Sequence, residues 1–276
     1  MVKNHYENFP VASLLIPKYY RKDIAIVYWF ARTADDIADE GNREPHQRLY
    51  ELNKFEEEFI NSLKVFPSNL NFKILAKTIK EKKLSKENFL NLLSAFRQDI
   101  NKTRYECFEE LSDYCKRSAN PVGRILLEIF RVKEEEAIIS SDKICTALQL
   151  TNFFQDTVID FEKGRIYYPQ EELRKFSVTE NMFELKQNNP NIKALVKHNV
   201  DRTQVLFDEG KNLLKYLSGR FKYEIKWTIA GGEKILNMIR KNDYDVFKKR
   251  PKLGKINFIT LFIKIIFNVR ISKRNI

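Results

Sequence analysis

The chain has 276 residues, with 49 Lys+Arg against 37 Asp+Glu and a formal net charge of +12. Its 8 glycines are under half the usual share, which argues against a turn-rich β architecture. The 3 cysteines, Cys107, Cys115 and Cys145, are odd in number and lack C-x-x-C spacing, so neither a disulfide framework nor a zinc site is indicated and a reducing compartment is expected.

Helical periodicity begins near Pro17 and runs to Gly41, where glycine ends the helix. A second helix is predicted over 45–63, followed by a turn at Pro67-Ser68-Asn69. Ser85-Lys86-Glu87-Asn88 opens a helix with Phe89, Leu92, Leu93 and Phe96 at core spacing, and Arg97-Gln98-Asp99 follow. Segments 109–130 and 133–160 read as two long inner helices. Loops are predicted at 164–169 and 188–191, and helices over 192–217 and 223–241 complete one all-α domain without repeats. Gly231-Gly232 lies inside the last helix, at about 1 kcal/mol per glycine relative to alanine. The pair predicts tight helix packing or room for a long hydrocarbon.

Two acidic runs carry the chemistry. Asp35 and Asp39 form one D-x-x-x-D, Asp156 and Asp160 another, and in a helix each spacing puts two carboxylates on one face about 6 Å apart along the axis. Such pairs are ordinarily a solvated face. Here the apolar stretch 24–31 precedes the first, and Ala147, Leu148 and Leu150 precede the second. Carboxylates repelling one another among apolar neighbours require a compensating cation. Two pairs facing one cavity would form a hard-oxygen cage for Mg²⁺, an ion that keeps waters and substrate phosphate oxygens in its shell.

The second run continues into Gly164-Arg165-Ile166-Tyr167-Tyr168-Pro169. This G-R-I-Y-x-P after N-x-x-x-D-x-x-x-D, with Tyr114-Cys115 and the S-A-N-P-V-G-R of 118–124, resembles the squalene and phytoene synthase family of head-to-head prenyl synthases from His5 to about Arg250. The opening 5–13, Ala31-Arg32-Thr33-Ala34 and Asn152-Phe153-Phe154-Gln155-Asp156 look most like the bacterial hydroxysqualene synthase branch of the hopanoid pathway. The resemblance implies an isoprenoid-synthase helical bundle around a central apolar cavity over 1–250. It further implies Mg²⁺-dependent ionisation of presqualene diphosphate, with water capturing the cation to give hydroxysqualene and no redox cofactor required.

By the same resemblance, Asp35, Asp39, Asp156 and Asp160 are catalytic and hold Mg²⁺ with Asn152 as a neutral oxygen ligand. Arg32 is placed to grip diphosphate oxygens or simply to pair with Asp35. His5, Tyr28, Tyr114, Gln149 and Arg165 are implied at the substrate, although both tyrosines read equally as core and Arg165 as structural. His5, His46 and His198 are scattered, which gives no support to a histidine base. Two departures bear on the reaction. Gln155 stands where presqualene- and phytoene-forming members typically have arginine, and Glu7 replaces a basic residue of the amino-terminal motif. Both make condensation of two farnesyl diphosphates to presqualene diphosphate, squalene or dehydrosqualene the second reading.

Basic charge gathers at the carboxyl end, in Lys248, Lys249, Arg250 and Lys252 and in Arg270, Lys273 and Arg274. Between them Asn257, Thr260, Lys264 and Asn268 form one polar stripe on an otherwise apolar segment. The pattern suits a helix in an anionic membrane surface, so 251–276 is expected to be a peripheral anchor on a cytoplasmic protein, within reach of other squalene-pathway enzymes. Packing of that helix on the bundle is the alternative. No stretch reaches the ~20 apolar residues of a spanning helix, and no basic segment leads into a long apolar one at the amino terminus. A nonenzymatic helical module binding membranes or nucleic acid is the remaining class, but no nucleic-acid motif appears and both main motifs are acidic.

Overall fold

The computed structural model describes residues 15–64 and 69–254, and the regular structure among them is helical. A 3₁₀ turn, Lys18–Tyr20, leads into α1 (Arg21–Asp39), α2 (Pro45–Ser62), α3 (Leu70–Lys82) and α4 (Lys86–Asp99). Next come α5 (Phe108–Ser118), α6 (Asn120–Ile129), α7 (Glu135–Gln155) and α8 (Thr157–Glu162). The short α9 (Gln170–Lys175) and α10 (Glu180–Glu184) precede α11 (Pro190–Gly210), a 3₁₀ turn at Lys211–Lys215 and α12 (Gly219–Lys241). His5, Glu7 and the amphipathic stretch 256–271 lie outside the described residues.

α7 is the axis of the bundle. Ala137, Ile144, Ala147, Leu150 and Phe154 are buried on successive sides of it, because α5, α6, α11 and α12 all pack around it. Beyond its exposed first turns, which include Ile139, its neighbours cover most of it, the pattern of a core helix. On the other flank, Phe30 of α1 meets Phe55, Phe59 and Phe89 with ring centroids 4.9–5.2 Å apart. That cluster locks α1 against α2 and α4 and fixes the rotation at which Asp35, five residues on, leaves the helix.

The structure revises four expectations. The segment read as one helix over 109–130 breaks at Ala119 (φ −118°, ψ −48°), since Pro121 has no N–H and its ring would collide with the carbonyl four residues earlier. The helix expected over 133–160 breaks at Asp156 (φ −104°, ψ 13°). There Thr157 Oγ1 donates toward the carbonyls of Phe153 and Phe154 at 3.2 and 3.1 Å, competing with the ladder. The helix read over 192–217 ends as α at Gly210 and finishes as 3₁₀. α3 was absent from the sequence reading; the Asn69 side chain caps it by accepting from Asn71 N at 2.9 Å, and it buries Phe72, Leu75 and Ile79.

The loop between α8 and α9 is pinned at its far end. Buried Glu172 accepts from Asn199 Nδ2 at 2.7 Å and Arg202 at 2.5 Å, and the Arg202 guanidinium lies 3.5 Å above the Phe108 ring. At the carboxyl end Pro251 is buried and Leu253 packs on α12 beside Gly231.

The two adjacent glycines of α12 differ. A Cβ on Gly232 would stand 2.5 Å from Phe207 Cζ and 3.0 Å from Leu148 Cδ2, whereas on Gly231 the nearest neighbour is Leu253 at 3.6 Å. Tight packing therefore explains Gly232. Gly232→Ala should destabilise by about 1–3 kcal/mol through overpacking, while Gly231→Ala should be neutral or stabilising by up to about 1 kcal/mol. Chemical denaturation of both variants checks this, and equal effects would refute it.

Candidate active site

The last two turns of α1 carry Arg32, Asp35, Asp36 and Asp39. Arg32 pairs with Asp35 at 3.1 Å, with Asp36 at 2.5 Å and with Glu40 at 3.6 Å. The ion-pair reading of Arg32 is thus realised in the protein alone. Tyr28, one turn earlier, is half-buried and adds to the field that favours charged Arg32.

The second motif wraps the break after α7. Asp156 is buried and held by Arg250, which donates from Nη2 at 2.9 Å and also through Nε. The Asp160 N–H still donates to the Asp156 carbonyl at 2.8 Å, so both carboxylates keep helical spacing across the break. Asp160 Oδ2 is shut off from solvent and accepts no hydrogen bond among the described residues. Asn152 and Gln149 are half-buried on the last turns of α7.

The two motifs meet through the loop that follows α8. Gly164 adopts φ +77°, a left-handed conformation that glycine tolerates, and reverses the chain so that the Arg165 N–H donates to the Asp160 carbonyl at 2.8 Å. Arg165 then reaches Asp39 at 2.8 Å and donates to the backbone carbonyl of Asp99 at 3.3 Å. Lys163 pairs with the other oxygen of Asp39. One signature arginine therefore ties α1, α4 and the second acidic motif together.

Below these charges lies an aromatic wall. Phe153 and Tyr167 stack with centroids 3.7 Å apart and planes 6° apart, and Tyr105 and Tyr114 complete the group at 5.6 Å from each other. Tyr114 donates its hydroxyl to Asp99 Oδ2 at 2.7 Å, and Asp99 Oδ1 is buried without a hydrogen-bond partner among the described residues. Tyr114, implied at the substrate by the resemblance, is thus engaged with Asp99 in the protein alone.

Burial dominates the electrostatics. It pushes Asp35 up to about 6 despite Arg32, with Asp39 and Asp36 adding repulsion. Burial and the Asp156 charge push Asp160 up to about 7. Asp99 also rises to about 7, through burial against the opposing Tyr114 hydrogen bond and Arg165 charge. Burial works the same way on Asp39, but Lys163 and Arg165 overcome it and hold that carboxyl below its usual range. As they stand, no three Asp, Glu, His or Cys side chains among the described residues are grouped to hold a metal. The donor set nevertheless fits Mg²⁺: every donor is a hard oxygen, Asp160 Oδ2 is an orphan, and Asp35 and Asp160 lack sufficient positive charge.

Asp99, Lys163 and Arg250 were missed as site residues. Asp99 directly follows the core face of α4, a signal of burial that its spacing alone did not turn into a role. Arg250 sits in a basic run, where charge density pointed to a membrane rather than to Asp156.

Residues 2–257 match the squalene/phytoene synthase family. The hydroxysqualene synthase of Rhodopseudomonas palustris is 31% identical over 255 residues, covering 92% of this chain and 85% of the relative. That of Sinorhizobium fredii is 30% identical over 241 residues, covering 86% and 80%. The crystal structure of a squalene synthase, HpnC, from Alicyclobacillus acidocaldarius has a TM-score of 0.82 and 38% identity, over 87% of this chain and 90% of that one. With that match over nearly its whole length, the chain belongs to the squalene/phytoene synthase family and is an enzyme of that type.

Proposed function

We propose that this enzyme ionises presqualene diphosphate with Mg²⁺ and lets water capture the rearranged cation, giving hydroxysqualene. The observation that carries the reading is the convergence, through Arg165, of two partly buried carboxylate pairs whose charge the protein's own cations only partly offset. Similarity to two hydroxysqualene synthases supports this branch, as does Gln155 in place of arginine.

Asp35, Asp39, Asn152, Asp156 and Asp160 are the residues that would hold the metal. The chemistry the metal would supply there is neutralisation of the charge on a departing diphosphate. Arg32, Lys163, Arg165 and Arg250 stand next to those carboxylates and are the cations available to diphosphate oxygens. His5, outside the described residues, and Gln149 complete the proposed substrate contacts. The aromatic wall of Tyr105, Tyr114, Phe153 and Tyr167 would exclude bulk water that would quench a carbocation early. The second reading, condensation of two farnesyl diphosphates, is favoured by the similarity to a squalene synthase. No helix of the described residues is long and apolar enough to cross a membrane. From its sequence, 251–276 is proposed as a peripheral anchor beyond the catalytic domain.

Purified protein with Mg²⁺ should convert presqualene diphosphate to an alcohol carrying ¹⁸O from labelled water and should leave farnesyl diphosphate unconsumed. Asp35→Asn and Asp156→Asn should each lower turnover by at least about 10²-fold. Rapid use of farnesyl diphosphate, or a hydrocarbon product that requires a nicotinamide cofactor, would move the assignment to the condensing branch.

Metal-free protein offers an independent test. Asp160 binds its proton up to about pH 7 when folded and only to about pH 4 when unfolded. The folded state therefore holds more protons in that window, and stability falls as pH rises through it. Asp160→Asn should remove the fall, leaving the variant more stable by on the order of 1–3 kcal/mol in chelator above pH 7 and close to wild type below pH 4. Added Mg²⁺ should stabilise wild type more than the variant. Loss of stability at pH 8 in chelator would mark Asp160 as a structural ion-pair partner instead.

For the carboxyl end, deletion from Lys255 onward should abolish sedimentation with anionic liposomes at low salt while activity on detergent-dispersed substrate survives. Unchanged sedimentation would rule the anchor out.

A further inference from the structure

α3 divides into two faces. Phe72, Leu75 and Ile79 are buried, and on the same side Thr78 and Lys82 reach Asp23 of α1 at 3.5 and 3.1 Å. The outer face carries Leu70, Lys73, Ile74, Lys77 and Lys80, all exposed and, at 3.6 residues per turn, confined to about one third of the helix circumference. Leu70 keeps 67% of its surface in water and Ile74 keeps 40%. An exposed leucine by itself is ordinary, but these two aliphatic side chains are interleaved with lysines, whose charged heads stand off on long hydrocarbon stems. Residues 69–83 hold five lysines and one acidic residue, Glu81.

The basic and apolar mixture continues past the end of α3. The Lys82 ammonium lies 4.3 Å from the centre of the Tyr19 ring, and Tyr19 is 73% exposed and flanked in sequence by exposed Lys18 and Lys22. α3 runs beside the first half of α1, from Trp29, whose ring meets Phe72 at 5.3 Å, down to Asp23. Asp35 and Asp39 belong to the other half of α1, so this face lies away from the acidic site. The last described residues head for the same end. Arg250 is at Asp156, but Leu253 is already beside Gly231, halfway along α12. The first turn of α12 is joined by Phe221 to Phe130, and Phe130 to Tyr20, with centroids 3.8 and 4.4 Å apart. The described chain thus ends on a path toward the end that carries Tyr19.

We propose that the outer stripe of α3, with Tyr19, is a docking face for an anionic lipid surface, a proposal that builds on the reading of 251–276 as a peripheral anchor. Charge complementarity selects this partner: lysines at one edge of the bundle are drawn to a negative headgroup layer, and Leu70, Ile74 and the amphipathic Tyr19 ring suit the boundary between headgroups and acyl chains. The outside of a single helix is convex, and a lipid surface is a partner that needs no matching groove. One weak membrane signal gives marginal, reversible binding, whereas two on one molecule reinforce each other by raising the effective concentration of the second. Docking by this face also keeps Asp35 about 20 Å of helix away from Lys22, at 1.5 Å per residue, and so clear of anionic headgroups that would repel it.

Sedimentation of the full-length protein with vesicles of mixed phosphatidylglycerol and phosphatidylcholine, in the absence of substrate, tests the face independently of the reaction. Lys73→Glu, Lys77→Glu and Lys80→Glu combined should weaken binding at low salt by at least about ten-fold. A control triple, Lys175→Glu, Lys197→Glu and Lys241→Glu, makes the same change in net charge at exposed positions of α9, α11 and α12 and should stay within about three-fold of wild type. Leu70→Ser with Ile74→Ser should weaken the binding that survives at high salt, where charge is screened, by at least about three-fold. If the glutamate triple does not fold, glutamine at the same three positions carries the comparison. Equal loss in the two triples, unchanged affinity in folded α3 variants, or equally tight binding to pure phosphatidylcholine would overturn the docking face. So would loss of binding to soluble polyglutamate without loss on vesicles, the mark of an acidic protein partner. Weakening by the α3 triple with deletion from Lys255 harmless would sustain the face and remove the anchor, and the reverse pattern would remove the face and keep the anchor. Wild type that ignores the mixed vesicles at low salt would defeat both.

Discussion

Several carboxylates largely withdrawn from water at one end of an apolar bundle must be neutralised, and the arrangement of this enzyme follows from how that is done. The chain supplies its own cations from different places: Arg32 within α1, Lys163 and Arg165 from the loop after α8, and Arg250 from beyond α12. All but the Arg32 pair, which is local to α1, are also tertiary ties. Arg250–Asp156 is the most enclosed of them, and removing one partner of a buried pair commonly costs about 3–5 kcal/mol. Neutralisation is incomplete, since Asp35, Asp99 and Asp160 all hold their protons well above the usual carboxylate range. A site with residual negative charge and hard oxygen donors is conditioned for a divalent cation, and its nearby arginines and lysines are conditioned for an anion.

α7 connects that charged end to the apolar interior. Its last turn carries Asn152 and leads into Asp156, while α5, α6, α11 and α12 pack along it. Phe153 on the same turn joins Tyr105, Tyr114 and Tyr167 in the aromatic wall.

Much of this was legible in the chain. Low glycine content and helical periodicity led to the helical class, and the resemblance carried by the paired D-x-x-x-D runs and the G-R-I-Y-x-P signature led to the family. The break at Pro121 was equally readable from the missing N–H, and α3 could have been recovered from Asn69 and the 3- and 4-residue steps of Phe72, Leu75 and Ile79. The break at Asp156 was not legible. It depends on Thr157, whose hydroxyl lies 3.0 Å from that of Tyr168, a neighbour brought back by the loop. Arg250 was obscured for a related reason: in sequence it is one of several adjacent cations, and only folding shows that this one turns inward to Asp156 while Lys248 and Lys249 remain exposed.

The Arg250–Asp156 contact joins positions 94 residues apart, close to the last described part of the chain. A ribosome makes the bundle axis and both acidic motifs long before it makes the residue that neutralises Asp156, at roughly 5–20 residues per second. For those seconds the last turn of α7 carries an uncompensated carboxylate that favours contact with water over burial, so docking of that turn is deferred until the carboxyl-terminal strap arrives. Maturation of the site is thereby tied to synthesis of Arg250, and a nascent fragment ending before it would hold the acidic residues without that guanidinium.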